Sequence, residues 1–245
     1  MTSQPSQSRK LKLSSRPEFI KFIDSFSKIN DSFIAEIKED NISVITASPD
    51  NTLISYGSYK CSSNYNTNLN IPDCKKLVRV LDTINSDAIE LKINTNNIEY
   101  AGSNVKFKYH LFEDGFLNKP SLSLDKIKNF TFDVSFNITK QQLSAITKGS
   151  TFATETNKLY LYTEEGKLIA ELTDKARHNS DSYTMALGEV EFKLAPVAVN
   201  FDNIRLLTLL DDTVSVNINT KFGVVIIETK NNTTNISYLI SSLTQ

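Results

Sequence analysis

At 245 residues and 40% hydrophobic composition the chain is long enough to build two cores, and its formal net charge of −1 gives it no overall pull toward nucleic acid or an acidic membrane. No apolar run reaches the length of a membrane-spanning helix, and the opening MTSQPSQSRKLKL lacks the apolar centre of a signal peptide. Cys61 and Cys74 are the only cysteines, a usage that points to a reducing compartment rather than to a disulfide framework.

A loose N-terminal tail is expected to end in a short strand. Ser15-Arg16-Pro17-Glu18 reads as a capping box, and the helix it opens sets Phe19, Phe22, Ile23, Phe26 and Ile29 on one stripe. Residues 32–38 and 42–47 read as a hairpin about Glu39-Asp40-Asn41, followed by strands at 53–60 and 64–71. Pro72 is placed to open a second helix, whose Cys74, Leu77, Val78, Leu81 and Ile84 repeat the spacing of the first stripe. Strands at 88–94, 98–101 and 105–112 complete this half.

Gly115–Asn129, GFLNKPSLSLDKIKN, contains Pro120 and alternating Leu/Ser, which favours an extended strap over a helix. Beyond it the same plan recurs. A strand at 130–137 leads to a second capping box, Thr139-Lys-Gln-Gln142, and a helix with Leu143 and Ile146 inward that stops at Gly149, expected as a left-handed cap. Strands at 159–162 and 168–172 form a hairpin, Asp174–Asp181 is a polar loop, and 182–187 and 190–194 read as two strands. Asn200 caps a fourth helix with Phe201, Ile204, Leu207 and Leu210 inward, and three strands follow at 213–219, 223–229 and 234–241. The expected organisation is therefore α+β: two similar domains, 1–114 and 130–245, joined by a strap at 115–129, with antiparallel sheets outside and four helices on the inner face.

Nothing in the sequence assembles into a catalytic site, and no metal or cofactor is expected. The two histidines, His110 in a strand and His178 in a polar loop, have no cysteine or histidine at zinc spacing, and no phosphate-binding glycine motif or nucleophile elbow occurs. Asp211-Asp212 reads as a turn pair. The exposed helix faces are different in character: Lys21 and Lys28, then Lys75, Lys76 and Arg79, then Lys140 and Lys148 make them net basic while the remaining chain is net acidic. The fourth helix is the exception, with Arg205 against Asp202 and Asp211. On these charges alone the pattern also fits a set of ordinary solvated faces, and so weak a basic stripe would not by itself hold DNA tightly.

The order of these elements, with PDCKKLVRVLDTI, FLNKP at 116–120, ITKQQL at 138–143 and ISYLI at 236–240, resembles the sliding clamps of tailed bacteriophages, the processivity factors of replicative DNA polymerases, similar in plan to proliferating-cell nuclear antigen. The resemblance spans about residues 11–243. It implies a non-catalytic homotrimeric ring in the cytoplasm of an infected bacterium. That ring would encircle duplex DNA, partner DNA polymerase and clamp loader, and take part in late transcription. DNA-facing residues would be Lys21, Lys28, Lys75, Lys76, Arg79, Lys140, Lys148 and Arg205. A partner-peptide groove would be lined by Phe116, Leu117, Pro120, Leu122, Leu124, Ile236, Tyr238, Ile240 and Leu243. Subunits would join head to tail through Tyr109, Leu111, Tyr183 and Met185. The alternative is a non-catalytic phage tail or baseplate β-protein, which would leave the charge bias on the helix faces unexplained.

Overall fold

The computed structural model describes residues 9–120 and 131–243. The chain divides into two compact units, one made of residues 1–49, 55–121 and 232–236, the other of 50–54, 122–231 and 237–245. Among the described residues each is an α+β unit of antiparallel strands and two helices.

The first unit runs β1 (Arg9–Leu13), α1 (Arg16–Ser27), β2 (Phe33–Lys38), β3 (Asn41–Ala47), β4 (Leu53–Lys60), the two-residue β5 (Ser62–Ser63), β6 (Thr67–Ile71), α2 (Cys74–Asp82), β7 (Ile89–Ile93), β8 (Asn97–Ala101) and β9 (Lys106–His110). The second runs β10 (Val134–Thr139), α3 (Lys140–Gly149), β11 (Lys158–Glu164), β12 (Lys167–Leu172), β13 (Tyr183–Glu189), β14 (Val197–Asn200), α4 (Phe201–Arg205), β15 (Thr213–Asn219), β16 (Val224–Lys230) and β17 (Thr234–Ser241). Apart from the two-residue β5, which pairs with β1 and has no counterpart, the strand orders match position by position. In the first unit they are β5-β1-β7-β8-β9 and β4-β3-β2-β6; in the second, β10-β15-β16-β17 and β13-β12-β11-β14. By this correspondence β9 is the counterpart of β17, and β13 of β4.

Two strands serve both units. In the first unit the start of β17 lies against β4: Lys60 N donates to Thr233 O at 2.8 Å, and Asn235 O sits 2.5 Å from where a Cβ on Gly57 would be. In the second, Ser241 N donates to Thr52 O at 3.0 Å. Strands β9 and β13 each end their sheet, with one edge unpaired.

Helix α1 folds where it does because its stripe is aromatic. Phe19, Phe22 and Phe26 are buried with Tyr59 of β4, ring centroids 5.0–5.7 Å apart for the Phe22–Phe26, Phe19–Tyr59 and Phe22–Tyr59 pairs. Each such side chain contributes about 1.5–3 kcal/mol on burial. The Tyr59 hydroxyl is satisfied by donating to Ser15 O at 2.9 Å. Both predicted hairpins close through two residues at positive φ, Glu39-Asp40 (45° and 63°) and Glu165-Gly166 (49° and 77°), the twist that matches antiparallel strands. Asp40 offsets the strain of its left-handed backbone by accepting from Ser63 N at 2.8 Å and, through its carbonyl, from Cys61 N at 2.8 Å.

Several local expectations are corrected. Ser15 caps α1, accepting from Glu18 N at 3.4 Å, but Glu18 does not reach back, because its carboxylate accepts from Thr233 Oγ1 at 2.5 Å. The reciprocal box does form at Thr139–Gln142. Helix α2 is capped by Asp73, which accepts from Lys76 N at 2.7 Å, so Pro72 stands outside it. Gly149 is not a left-handed cap. It is the last residue of α3, Ser150 caps the helix in right-handed conformation, and glycine is required because a Cβ would overlap the ring of Tyr183. Residues 182–194 supply one strand, not two, and β14 was missed. The fourth helix ends at Arg205, so Leu207 and Leu210 lie beyond it.

Candidate functional site

Three features stand out: the exposed helix faces, a pocket in the second unit and the sheet edges at β9 and β13.

On each longer helix the buried stripe fixes which side chains face solvent. In α1 Lys21 and Lys28 are exposed; in α2 Lys75, Lys76 and Arg79; in α3 Lys140, Gln141, Ser144, Thr147 and Lys148. Lys21, Lys75, Lys76, Arg79, Lys140 and Lys148 make no ion pair among the described residues, so their charge is available to a ligand. Two arginines are engaged otherwise. Arg16, whose side chain is 12% exposed, donates to Leu81 O (3.1 Å), Asp82 O (3.4 Å) and Ser86 O (3.1 Å), tying the start of α1 to carbonyls at and just past the end of α2. Arg205 is exposed but pairs with Asp202 at 3.0 Å, donates to Ser150 Oγ at 2.8 Å and lies over the Phe201 ring. Of the expected DNA-facing set, Arg205 is therefore the one whose guanidinium braces its own unit.

The expected peptide groove is largely not lined as foreseen. Ile236, Tyr238 and Ile240 are each fully buried, and the Tyr238 hydroxyl accepts from Thr208 N at 3.0 Å; these are core side chains with no surface to offer. The alternation that made them look like a groove wall is a strand buried on both faces. Leu122 and Leu124 lie outside the described residues. Phe116 is exposed and stacks on exposed Phe112 with ring centroids 5.7 Å apart, while Leu117 and Pro120 are half-buried.

Leu243, from the same set, does line a cavity, within the second unit. Tyr160 of β11, Pro196, Ala198 of β14, Ala176, Lys158 and Lys175 share it, and its volume is about 340 Å³. Leu243 N donates to Ala198 O at 2.8 Å, which seats the end of the described chain at the pocket. The lysines at the rim are neutralised locally. Lys158 Nζ lies 2.7 Å from Asp174 Oδ1, which holds the Asp174 carboxyl below its ordinary range and raises the Lys158 ammonium. Lys175 Nζ lies 2.9 Å from Glu171 Oε2 and over the rings of Tyr160 (4.8 Å) and Tyr162 (4.4 Å). Burial, with the Glu171 carboxylate second, pushes the Tyr162 phenol up to about 12. The pocket thus has an apolar floor and a charge-balanced rim, suited to an uncharged or apolar side chain. The sequence signal for it was weak: Ala198 sits in the strand that was missed, and Pro196 just before it.

At the unpaired edges, Tyr109 is not available for contact. It is buried, and its hydroxyl donates to Asp73 O at 2.7 Å and accepts from Asp73 N at 3.1 Å. Leu111, Tyr183 and Met185 are half-buried, with Tyr183 seated on Gly149. Of the other side chains of β9, Lys106, Lys108 and His110 are exposed and Phe107 is half-buried; Glu189 and Glu191, at the end of β13 and just past it, are exposed.

No family model matches the sequence, and no curated protein matches it. Solved structures do match by fold. Proliferating cellular nuclear antigen from Entamoeba histolytica superposes with a TM-score of 0.75 at 13% identity, covering 97% of this chain and 99% of that one. PCNA from A. fulgidus, solved with the C-terminal region of FEN-1 bound, gives 0.74 at 9% identity, 97% and 99%. The H. pylori beta clamp in complex with diflunisal gives 0.72 at 16% identity, covering 100% of this chain and 69% of that one. This chain has the sliding-clamp fold.

Proposed function

We propose that the protein is a sliding clamp of a tailed bacteriophage: a non-catalytic ring of three copies that encircles duplex DNA in the cytoplasm of the infected bacterium. A clamp loader would place it on DNA, and DNA polymerase and other replication proteins would be tethered to it through short hydrophobic peptides. The observation that carries the reading is the strand-for-strand repeat of two units, in a chain matched over nearly its whole length by clamps of two kinds. The unpaired cations on α1, α2 and α3 support it. When holding is topological, charge need only centre the duplex, and strong phosphate contacts would add drag and steep salt dependence.

The pocket at Leu243, Tyr160, Pro196 and Ala198 is the docking point for a partner's terminal peptide, as A. fulgidus PCNA holds the C-terminal region of FEN-1. An aliphatic or aromatic anchor filling it would be worth about 2 kcal/mol or more. Two measurements test the reading. With clamp loader and ATP, circular DNA should retain the protein and linear DNA should release it; equal retention on both would refute encirclement. A synthetic peptide from the polymerase C-terminus should bind wild type and lose affinity for Leu243→Asp. Unchanged affinity would remove the pocket from the proposal.

A further inference from the structure

The repeat gives the two units one corner in common, with different chemistry in each. In the second unit the chain past β17 meets β14, where Leu243 N donates to Ala198 O at 2.8 Å. In the first the chain past β9 meets β6, the counterpart of β14, where Phe112 N donates to Asn70 O at 2.9 Å. Each corner borders a cavity. The one in the first unit has a volume of about 420 Å³ and, unlike the pocket at Leu243, is largely polar, with Arg9, Asn68, Asn70, Phe112, Glu113 and Asp114 in its lining.

Asn70 stands across from Ile34 as Ala198 stands across from Tyr160, so an amide occupies the place of a methyl group. It is 6% exposed. Its Nδ2 donates to Phe112 O at 3.3 Å and to Asp114 Oδ1 at 2.8 Å, which uses both amide protons. Its Oδ1 has no partner among the described residues, so a buried acceptor is left over in the cavity wall. Glu113 and Asp114 are exposed and make no ion pair among the described residues. Two carboxylates against Arg9, which lies over the Tyr65 ring at 6.0 Å, leave the described lining net acidic.

Past Asp114 the chain turns back on itself. Gly115 supplies a φ of 92°, Phe116 N donates to Glu113 O at 3.4 Å, and the Phe116 ring comes to rest on that of Phe112, planes 25° from parallel. The two rings are 69% and 40% exposed. Stacked rings open to solvent, beside unpaired carboxylates and an unfilled acceptor, match a planar cation with several N–H donors. The same carboxylates repel a phosphate-bearing ligand.

We propose that this corner of the first unit docks an arginine side chain of a partner protein. The guanidinium lies on the Phe112–Phe116 stack and donates to Glu113 and Asp114, with Asn70 Oδ1 as a further acceptor. It is a second site, opposite in chemistry to the apolar pocket at Leu243, and it requires neither the ring nor DNA.

The probe is the peptide acetyl-Ala-Arg-Ala-amide, titrated into the full chain and followed by NMR at the backbone amides of 112–116 and the side-chain amide of Asn70. The same peptide with citrulline keeps the shape of arginine and loses its charge. The arginine peptide should shift these resonances, and the citrulline peptide should bind at least about tenfold more weakly, since the charge-assisted bonds are lost. Glu113→Gln/Asp114→Asn, at exposed positions, should weaken the arginine peptide by a similar factor. Asn70→Ala, which copies the corner of the second unit, should weaken it too; if that variant fails to fold, the double variant carries the test. Leu243→Asp should leave the affinity unchanged. Equal binding of the arginine and citrulline peptides, full affinity in the folded double variant, or loss of binding in Leu243→Asp would overturn the proposal. So would a response of the same residues to an oligothymidylate and not to the peptide. Retention on circular DNA tests the clamp reading separately, so either can fail without the other.

Discussion

The contact between Gly149 and Tyr183 gives the sharpest local prediction. On helix propensity alone Gly149→Ala should stabilise α3, by up to about 1 kcal/mol. Its position argues the opposite. A Cβ there would overlap Cγ, Cδ1 and Cε1 of the Tyr183 ring, so the whole ring has to swing rather than its far end yield. Overpacking of this kind costs about 1–3 kcal/mol, which leaves a net loss of up to roughly 2 kcal/mol after the propensity gain. Tyr183 begins β13, so displacing it also loosens that edge strand. Urea midpoints should be measured for Gly149→Ala, Tyr183→Ala and the pair, with a folding probe for each unit because two units need not unfold in one step. The double variant should be more stable than the sum of the single losses, a coupling of about 1 kcal/mol or more. Stabilisation by Gly149→Ala alone, with no coupling to Tyr183, would refute the argument.

Replacing Lys75, Lys76 and Arg79 together by alanine should reduce retention on circular DNA and processivity while shifting stability by no more than about 0.5 kcal/mol per site; normal processivity at physiological salt would exclude the α2 face from DNA contact. Arg16→Ala removes charged donors from the last carbonyls of α2 and should destabilise the first unit by about 1.5–3 kcal/mol, with little rescue by Arg16→Lys, which lacks the planar fork; thermal melting checks both. Burial raises the folded-state pKa of Cys61 to about 11 and that of Cys74 further. The folded state therefore keeps these protons after the unfolded chain, titrating near pH 8.5, has lost them. Stability from the buried thiols is full below that pH and declines above it, so urea midpoints should fall between pH 8 and 10, and less steeply in Cys74→Ala. A midpoint that does not change over that range would contradict the burial of both groups.

The sequence by itself determined what is local or periodic. The 3-1-3-3 stripes of α1 and α2 announce which helix face is buried, and hence that Lys21, Lys75, Lys76 and Arg79 face solvent. Thr139 and Gln142 carry their reciprocal cap in their spacing, and the two hairpins follow from short polar turns between apolar runs. The repeat of helix and strand across two halves was legible too, because order survives where residue identity does not. What only the tertiary structure decided concerns partners far apart in the chain. Glu18 could have completed a cap, but Thr233, distant in sequence, takes its carboxylate. Gly149 looked like a chain terminator and is instead the floor under Tyr183. Ile236, Tyr238 and Ile240 alternate like half-exposed strand residues, yet the packing against that stretch of β17 closes both faces, and Tyr109 is buried although the other face of β9 is exposed. The pocket at Leu243 draws on β11, the loop at Lys175 and Ala176, the start of β14 and the end of the described chain, segments no window of sequence contains together. Periodicity tells which side of an element is apolar; only the assembled fold tells what lies against it, and so which of those side chains remains free to bind.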